Sequence, residues 1–233
     1  MRITVFGANG GTGRLLVAQA ANAGHQVTAV TRHPDTFPIE HGNLTLFAGD
    51  ATEFDSTLAA IRGSDAVLSS LGVPYSRKPI SIYSVGTTNV VRAMRQAEVG
   101  RLAVVSSSAT DPAVRHLDSG GGFFFEKVLK PVIGNTFGKT LYDDMLRMEE
   151  LVRDSDLDWT IVRPSGLFHT DGVTDYLTGV DFVKGQYTSR ADLADFLLRQ
   201  ASETEFVRRA AALITVDPQP TVMQLIRNEA LAK

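Results

Sequence analysis

The chain has 233 residues, 43% of them hydrophobic and 21% charged, which is the balance of a globular protein and excludes disordered, collagen-like and coiled-coil classes. Its 23 basic against 26 acidic residues leave a net charge of −3, so no concentrated basic face is expected and no nucleic-acid partner. With no cysteine there can be no disulfide, thiolate catalysis, iron–sulfur cluster or cysteine zinc site, and the composition suits a reducing cytosol, so a cytoplasmic location is expected.

The first residues, Met1 to Gly7, run straight into a buried-strand pattern without the apolar stretch and cleavage site of a signal peptide. No apolar run approaches the roughly 18 to 20 residues needed to span a bilayer, so no membrane span is expected. Short aliphatic and β-branched runs predict strands at Ile3–Phe6, Gln26–Thr31, Leu44–Ala48, Ala66–Ser69, Leu102–Ser106, Trp159–Arg163 and Ala212–Val216. Amphipathic stretches predict helices at Gly11–Asn22, closed by Gly24, then Phe54–Ile61, Ser84–Ala97 closed by Gly100, Thr140–Asp154, Ser189–Gln200 and Thr221–Ala230. Ser189 and Asp192 resemble a capping box, and Asp143-Asp144 reads as the cap of its own helix, with Glu149 and Glu150 on a solvated face.

The alternation of strand and helix predicts an α/β fold, a Rossmann-type doubly wound parallel sheet of about seven strands with a small C-terminal substrate lobe or lid, all in one domain spanning 1–233. The stretch from about 110 to 138 breaks the rhythm with Pro112, Gly120 to Gly122, Phe123 to Phe125 and Pro131, and is expected to be a lid or insert. Its aromatic part, Gly120–Lys130, suits a cover over a planar substrate, an amphipathic surface, or simply a local core.

Gly7-Ala8-Asn9-Gly10-Gly11-Thr12-Gly13 follows the first strand and opens the first helix. In that context glycines allow a tight turn, let a pyrophosphate approach the backbone and let helix pack on strand, while the helix N-terminus supplies N–H donors. The G-x-x-G-x-x-G spacing resembles the fingerprint of extended and atypical short-chain dehydrogenases/reductases, which implies NAD or NADP binding with Gly7, Asn9, Gly10, Gly11, Thr12 and Gly13 as cofactor contacts. At the end of the second strand Arg32 stands where NAD would want a carboxylate, and a guanidinium there suits a 2′-phosphate, so NADPH is expected over NADH. The resemblance further implies adenine recognition by Asp50 and Ala51, and contact of Leu71 and Gly72 with the ribose and pyrophosphate.

Ser106-Ser107-Ser108-Ala109-Thr110 follows the fifth strand, at the sheet edge where open α/β folds bind ligands. It resembles the catalytic-serine segment of extended short-chain reductases and epimerases. That likeness implies Ser106 beside the cofactor and Ser108 as the hydroxyl that polarises a reacting carbonyl, the alternative being serines that satisfy loop backbone. Tyr142 is the matching phenol, but the family's Tyr-x-x-x-Lys is broken by Leu146, and Lys139 precedes the tyrosine.

Tyr142 to Val152 followed by Leu157 to Pro164 resembles atypical reductases of the NmrA-like and biliverdin reductase B/flavin reductase type, with Arg163 and Pro164 beside the nicotinamide. Arg163 is a candidate to hold a phosphate, a substrate carboxylate, or an internal acidic partner such as Asp192 or Asp195. His169 lies several residues later than the family's substrate histidine and reads as a loop residue, and the spacing of the five histidines predicts no metal. These readings imply an NADPH-dependent reductase passing hydride to a carbonyl, quinone or flavin-like acceptor, planar or conjugated, as a monomer or homodimer. The other reading is a non-catalytic NADP(H) sensor of the NmrA-like type.

Overall fold

Ile3, Thr4, Val5 and Phe6 are all buried, because strand β1 (Arg2–Phe6) lies mid-sheet with helices against both faces. The computed structural model describes residues 1–74, 78–111 and 139–220. After β1 the order is α1 (Gly11–Asn22), β2 (Gln26–Thr31), β3 (Leu44–Ala48), α2 (Phe54–Ile61), β4 (Ala66–Ser69), α3 (Ile82–Gln96) and β5 (Arg101–Val105). There follow α4 (Lys139–Arg153), β6 (Asp158–Pro164), β7 (Gly166–Phe168), β8 (Asp175–Val180), β9 (Tyr187–Ser189), α5 (Arg190–Arg199) and β10 (Arg209–Asp217). The eight-stranded sheet runs β3-β2-β1-β4-β5-β6-β10-β8, parallel throughout except for β8, while β7 and β9 pair separately. This is the expected Rossmann-type α/β fold.

Neighbouring residues on a strand point to opposite faces, so each central strand feeds two cores. Phe6, Val30, Val67, Leu102 and Ile161 pack beneath α2, α3 and α4 in a cluster with Met94, Met148 and Trp159. Val5, Ala29, Leu68, Ala103 and Val162 face α1 and α5 with Leu16, Leu193 and Phe196. Each fully buried Leu or Phe contributes about 1.5–3 kcal/mol by leaving water.

The sheet has one strand more than expected, and β7, β8 and β9 were all missed. β8 is an edge strand whose Leu177 and Val180 remain exposed, so it carries no continuous apolar run, and β7 and β9 have three residues each. Two caps also differ. Gly24, at φ +85°, closes α1 as expected, but α3 ends through Glu98 at φ +57°, not Gly100. Ser189 does accept from Asp192 N at 3.0 Å, whereas the Asp192 carboxylate turns inward to Thr174 and Thr215 and closes no box. The expected lid, beyond Thr110 and Asp111, and the helix expected at Thr221–Ala230 lie outside the described residues.

Candidate active site

β1 neighbours β2 on one side and β4 on the other, so the chain's direction across the sheet reverses there and the loops after the two strands diverge to leave a crevice. Gly7 has φ +72°, and a Cβ on it would stand 2.5 Å from the Ser70 carbonyl carbon and oxygen. At Gly13 a Cβ would lie 2.1 Å from the Gly7 carbonyl oxygen, so only glycine lets α1 sit this close to the end of β1. The N-cap of α1 is Gly10, which offers no side-chain cap, and the first turn has no acidic residue. The N–H groups of Gly11 and Thr12 are therefore presented without a built-in anion. Asn9 accepts a hydrogen bond from Arg14 Nε at 2.9 Å. A glycine-rich loop with no Cβ at Gly7, Gly10, Gly11 or Gly13, backed by a helix start without a side-chain cap, fits a dinucleotide's diphosphate.

Arg32 follows β2 directly and is exposed, and its charge reaches Asp50 at the end of β3. The Asp50 carboxyl sits below the usual carboxylate range, first because Thr52 N–H donates to it and further through the Thr52 hydroxyl and Arg32, against the opposing effect of burial. Ala51 is buried, and its carbonyl accepts from Asn89 Nδ2 at 3.0 Å, so α3 fixes this backbone. Leu71 packs into the core beneath α3, and Gly72 is exposed after it.

The serines divide their work. Ser106 is buried and donates to Glu149 Oε1 at 2.6 Å, Ser107 caps the short 3-10 turn Ser108–Thr110 by accepting from Ala109 N, and Ser108 Oγ lies 3.2 Å from Ser165 Oγ. Ser165 follows Pro164 directly, so the ends of β5 and β6 bring two hydroxyls together on the sheet edge that also carries the glycine loop. Tyr142 is half-buried near the start of α4, the helix that packs against this turn, and it borders the core beneath α3. Lys139 is engaged by Asp143 at 2.7 Å.

Glu149 overturns the expectation of a solvated face, since it is fully buried while Glu150 is exposed. Its carboxylate receives Ser106, Thr110 Oγ1 at 2.8 Å, and Arg163 Nη2 and Nε at 2.6 and 3.1 Å. Burial pushes its pKa up, but hydrogen bonds from Arg163, Ser106 and Thr110 with the guanidinium's charge prevail and hold it below the usual glutamate value. Arg163 is buried as well and takes Asp111 through Nη1 at 2.5 Å. Its internal partners are thus Glu149 and Asp111, not Asp192 or Asp195, and three of its nitrogens bond carboxylates instead of facing a phosphate. Asp144 is no cap for its own helix. It is buried and accepts from Tyr83 N and Ser84 N at 2.9 and 3.3 Å, at the start of α3.

One basic group adjoins the glycine loop from α5. Arg190, the first residue of α5, donates through Nη1 to Thr12 Oγ1 at 3.3 Å. His169, just after β7, is held below its usual pKa by partial burial and by the charge of Arg190. Neither Arg190 nor Glu149 had a sequence signal, because each acts through a partner distant along the chain.

A crevice at the sheet reversal, a glycine turn that side chains would fill and a helix start without an anion define a dinucleotide-binding protein. Residues 7–204 match the NAD(P)H-binding family, and the chain belongs to it. An uncharacterized protein of Mycobacterium tuberculosis is 36% identical over 118 residues, which is 50% of this chain but 13% of that protein, so the chain spans only a small part of that relative's length. The uncharacterized protein YwnB of Bacillus subtilis is 26% identical over 217 residues, covering 88% of this chain and 94% of YwnB. Solved structures share the fold: the oxidoreductase ylbE from Lactococcus lactis superposes with a TM-score of 0.77 at 15% identity, covering 99% of this chain and 97% of that one. A short-chain dehydrogenase/reductase from Veillonella parvula, in complex with NADP, gives 0.73 at 18% identity over 93% and 95% of the two chains. ChuY, described as an anaerobillin reductase from Escherichia coli O157:H7, gives 0.75 at 21% over 95% and 100%.

Proposed function

We propose that the chain is an NADPH-dependent reductase of the atypical short-chain type, acting on a planar carbonyl, quinone or flavin-like acceptor. The observation that carries this reading is the Ser108–Ser165 hydroxyl pair, 3.2 Å apart, on the same sheet edge as the glycine loop. The nicotinamide, when bound, supplies the hydride. Gly7 to Gly13 and the start of α1 hold the diphosphate, Arg32 the 2′-phosphate, and Asp50, kept ionised by Thr52, the adenine side. Ser108 donates a hydrogen bond to the acceptor oxygen as negative charge grows there, Ser165 orients that hydroxyl by donating its own O–H to Ser108 Oγ, and solvent supplies the proton that completes the reduction. The Glu149–Arg163 pair stays inside and holds the segment that carries Ser108.

Support for NADPH over NADH is Arg32 and the absence of a carboxylate at its position. Absorbance of NADPH followed over time with quinones, free flavin, dicarbonyls and aldehydes tests the reading: acceptor-dependent oxidation above the rate without protein is expected. One feature favours a second reading, a non-catalytic NADP(H) sensor: Leu146 stands four residues after Tyr142, where a lysine would lower the phenol's pKa. Tight NADPH binding with no acceptor turned over would decide for the sensor.

A further inference from the structure

Arg190 belongs to the last described helix, yet its guanidinium lies on the first. A Cβ on Gly11 would meet its Cδ at 3.3 Å, its Nε at 3.4 Å and its Cζ at 3.6 Å, and its one described hydrogen bond goes to the neutral hydroxyl of Thr12. Its Nε–H is buried with no acceptor among the described residues. Burial alone lowers its pKa, and no carboxylate opposes the shift. The buried Arg163 and the half-buried Arg101 are provided for. Arg163 is held by Glu149 and Asp111, and Arg101, which also leaves Nε unpaired, spends its two other nitrogens on oxygens of Leu102, Asp158 and Thr160.

The surroundings make this cation costlier still. It stands at the first residue of α5 and over the first two residues of α1, two helix starts whose partial charges are positive. Asp192, the acid in the first turn of α5, is buried and committed to Thr174 and Thr215, and α1 has no acid in its first turn. Folding alone gives no reason to collect positive charge there, since a half-buried guanidinium with its Nε–H buried and no carboxylate partner among the described residues destabilises the fold. An anion at the start of α1, beside Arg190, would receive the guanidinium fork and the α1 backbone donors together.

We propose that Arg190 binds the diphosphate of the bound nucleotide from beside the start of α1, so that the group is held by the glycine loop and by α5 together. The inference rests on the dinucleotide reading above and adds to it a contact from α5, 178 residues from Thr12. It joins both halves of the chain at the site: β9 and α5 are fastened to the N-terminal half when the nucleotide is present.

The test compares wild type, Arg190→Met and Arg190→Lys on the full chain, using titrations with NADPH and ADP-ribose and urea unfolding without ligand. Methionine keeps the aliphatic packing and removes the charge. Expected for Arg190→Met is a loss of about 10- to 100-fold in affinity for both ligands, the scale of a charged hydrogen bond, with an apo urea midpoint equal to or above wild type. Arg190→Lys should fall between, keeping the charge without the fork. Unchanged ADP-ribose affinity in Arg190→Met overturns the proposal, as does a loss of affinity accompanied by a lower apo midpoint, which is the mark of a structural arginine. If wild type binds neither NADPH nor ADP-ribose, the dinucleotide reading itself falls and takes this inference with it. Wild-type binding with an indifferent Arg190→Met removes only the clamp.

Discussion

A wholly buried carboxylate is tolerated only where several donors replace its lost water, and Glu149 has Ser106, Thr110 and Arg163. Replacing it by Gln takes away the carboxylate bonded to two nitrogens of Arg163, leaving Asp111 and, at 3.9 Å, Asp181, and should cost about 3–5 kcal/mol, read as a fall in the urea midpoint at pH 7. The pH dependence has a definite sign. A carboxyl whose folded pKa lies below its unfolded value near 4.5 stabilises the fold fully above that value and loses the contribution as pH falls toward the folded pKa. Wild type should therefore lose stability faster than Glu149→Gln below about pH 4.5, and parallel acid limbs would remove Glu149 from the account. Ser108 plays the opposite part, half-exposed and bonded among the described residues to another hydroxyl, so Ser108→Ala should leave the urea midpoint within about 0.5 kcal/mol of wild type. Turnover should fall by about 10- to 100-fold with NADPH affinity kept, for loss of a single donor to a developing oxyanion. Unchanged turnover on an active acceptor would relegate Ser108 to structure.

Among the elements, α3 begins without a side-chain cap of its own, and Asp144 of α4 supplies one in trans, accepting from Tyr83 N and Ser84 N and from the Ser84 hydroxyl. Asp144→Ala should cost about 2 kcal/mol, between a simple N-cap and a buried charged bond, and should speed hydrogen exchange at the Tyr83 and Ser84 amides. Exchange at those amides no faster than in wild type would show that α3 does not depend on the cap. No reading of α4 alone could find this role, because Asp144 looks like the cap of its own helix until α3 is packed beside it. Glu149 was hidden in the same way: a Glu-Glu pair on an amphipathic helix reads as a wet face, and only the turn of α4 against β5 and β6 buries one of the two. What was legible was local. The buried runs of β1, β4 and β5 and the glycine turn carry their signals within ten residues, whereas four of the six residues of β8 are exposed and it has no such run. Arg190 lay further from view, its meaning fixed by Thr12 at the far end of the chain.

For the molecule as a whole, the sheet reversal between β1 and β4 sets the glycine loop, the ends of β2 and β3 and the serine segment along one edge, and the proposed reading has a single extended ligand touch all of them. Such a ligand binds the folded chain and not the unfolded one, so at a hundred times its dissociation constant it should stabilise the fold by about 2.7 kcal/mol. At about 2–4 °C per kcal/mol for a domain of this size, the thermal midpoint should rise by about 5–10 °C. In the proposed reading, Arg32 decides which nucleotide does this. It is exposed and borders Asp50, whose negative charge would repel a 2′-phosphate if Arg32 were absent. NADPH should therefore shift the midpoint of wild type more than NADH at equal concentration, and Arg32→Ala should weaken NADPH by about 10- to 100-fold while leaving NADH nearly unchanged. Equal losses for both nucleotides would mean that Arg32 serves the adenine or the loop, and the preference for NADPH would then have no residue to rest on.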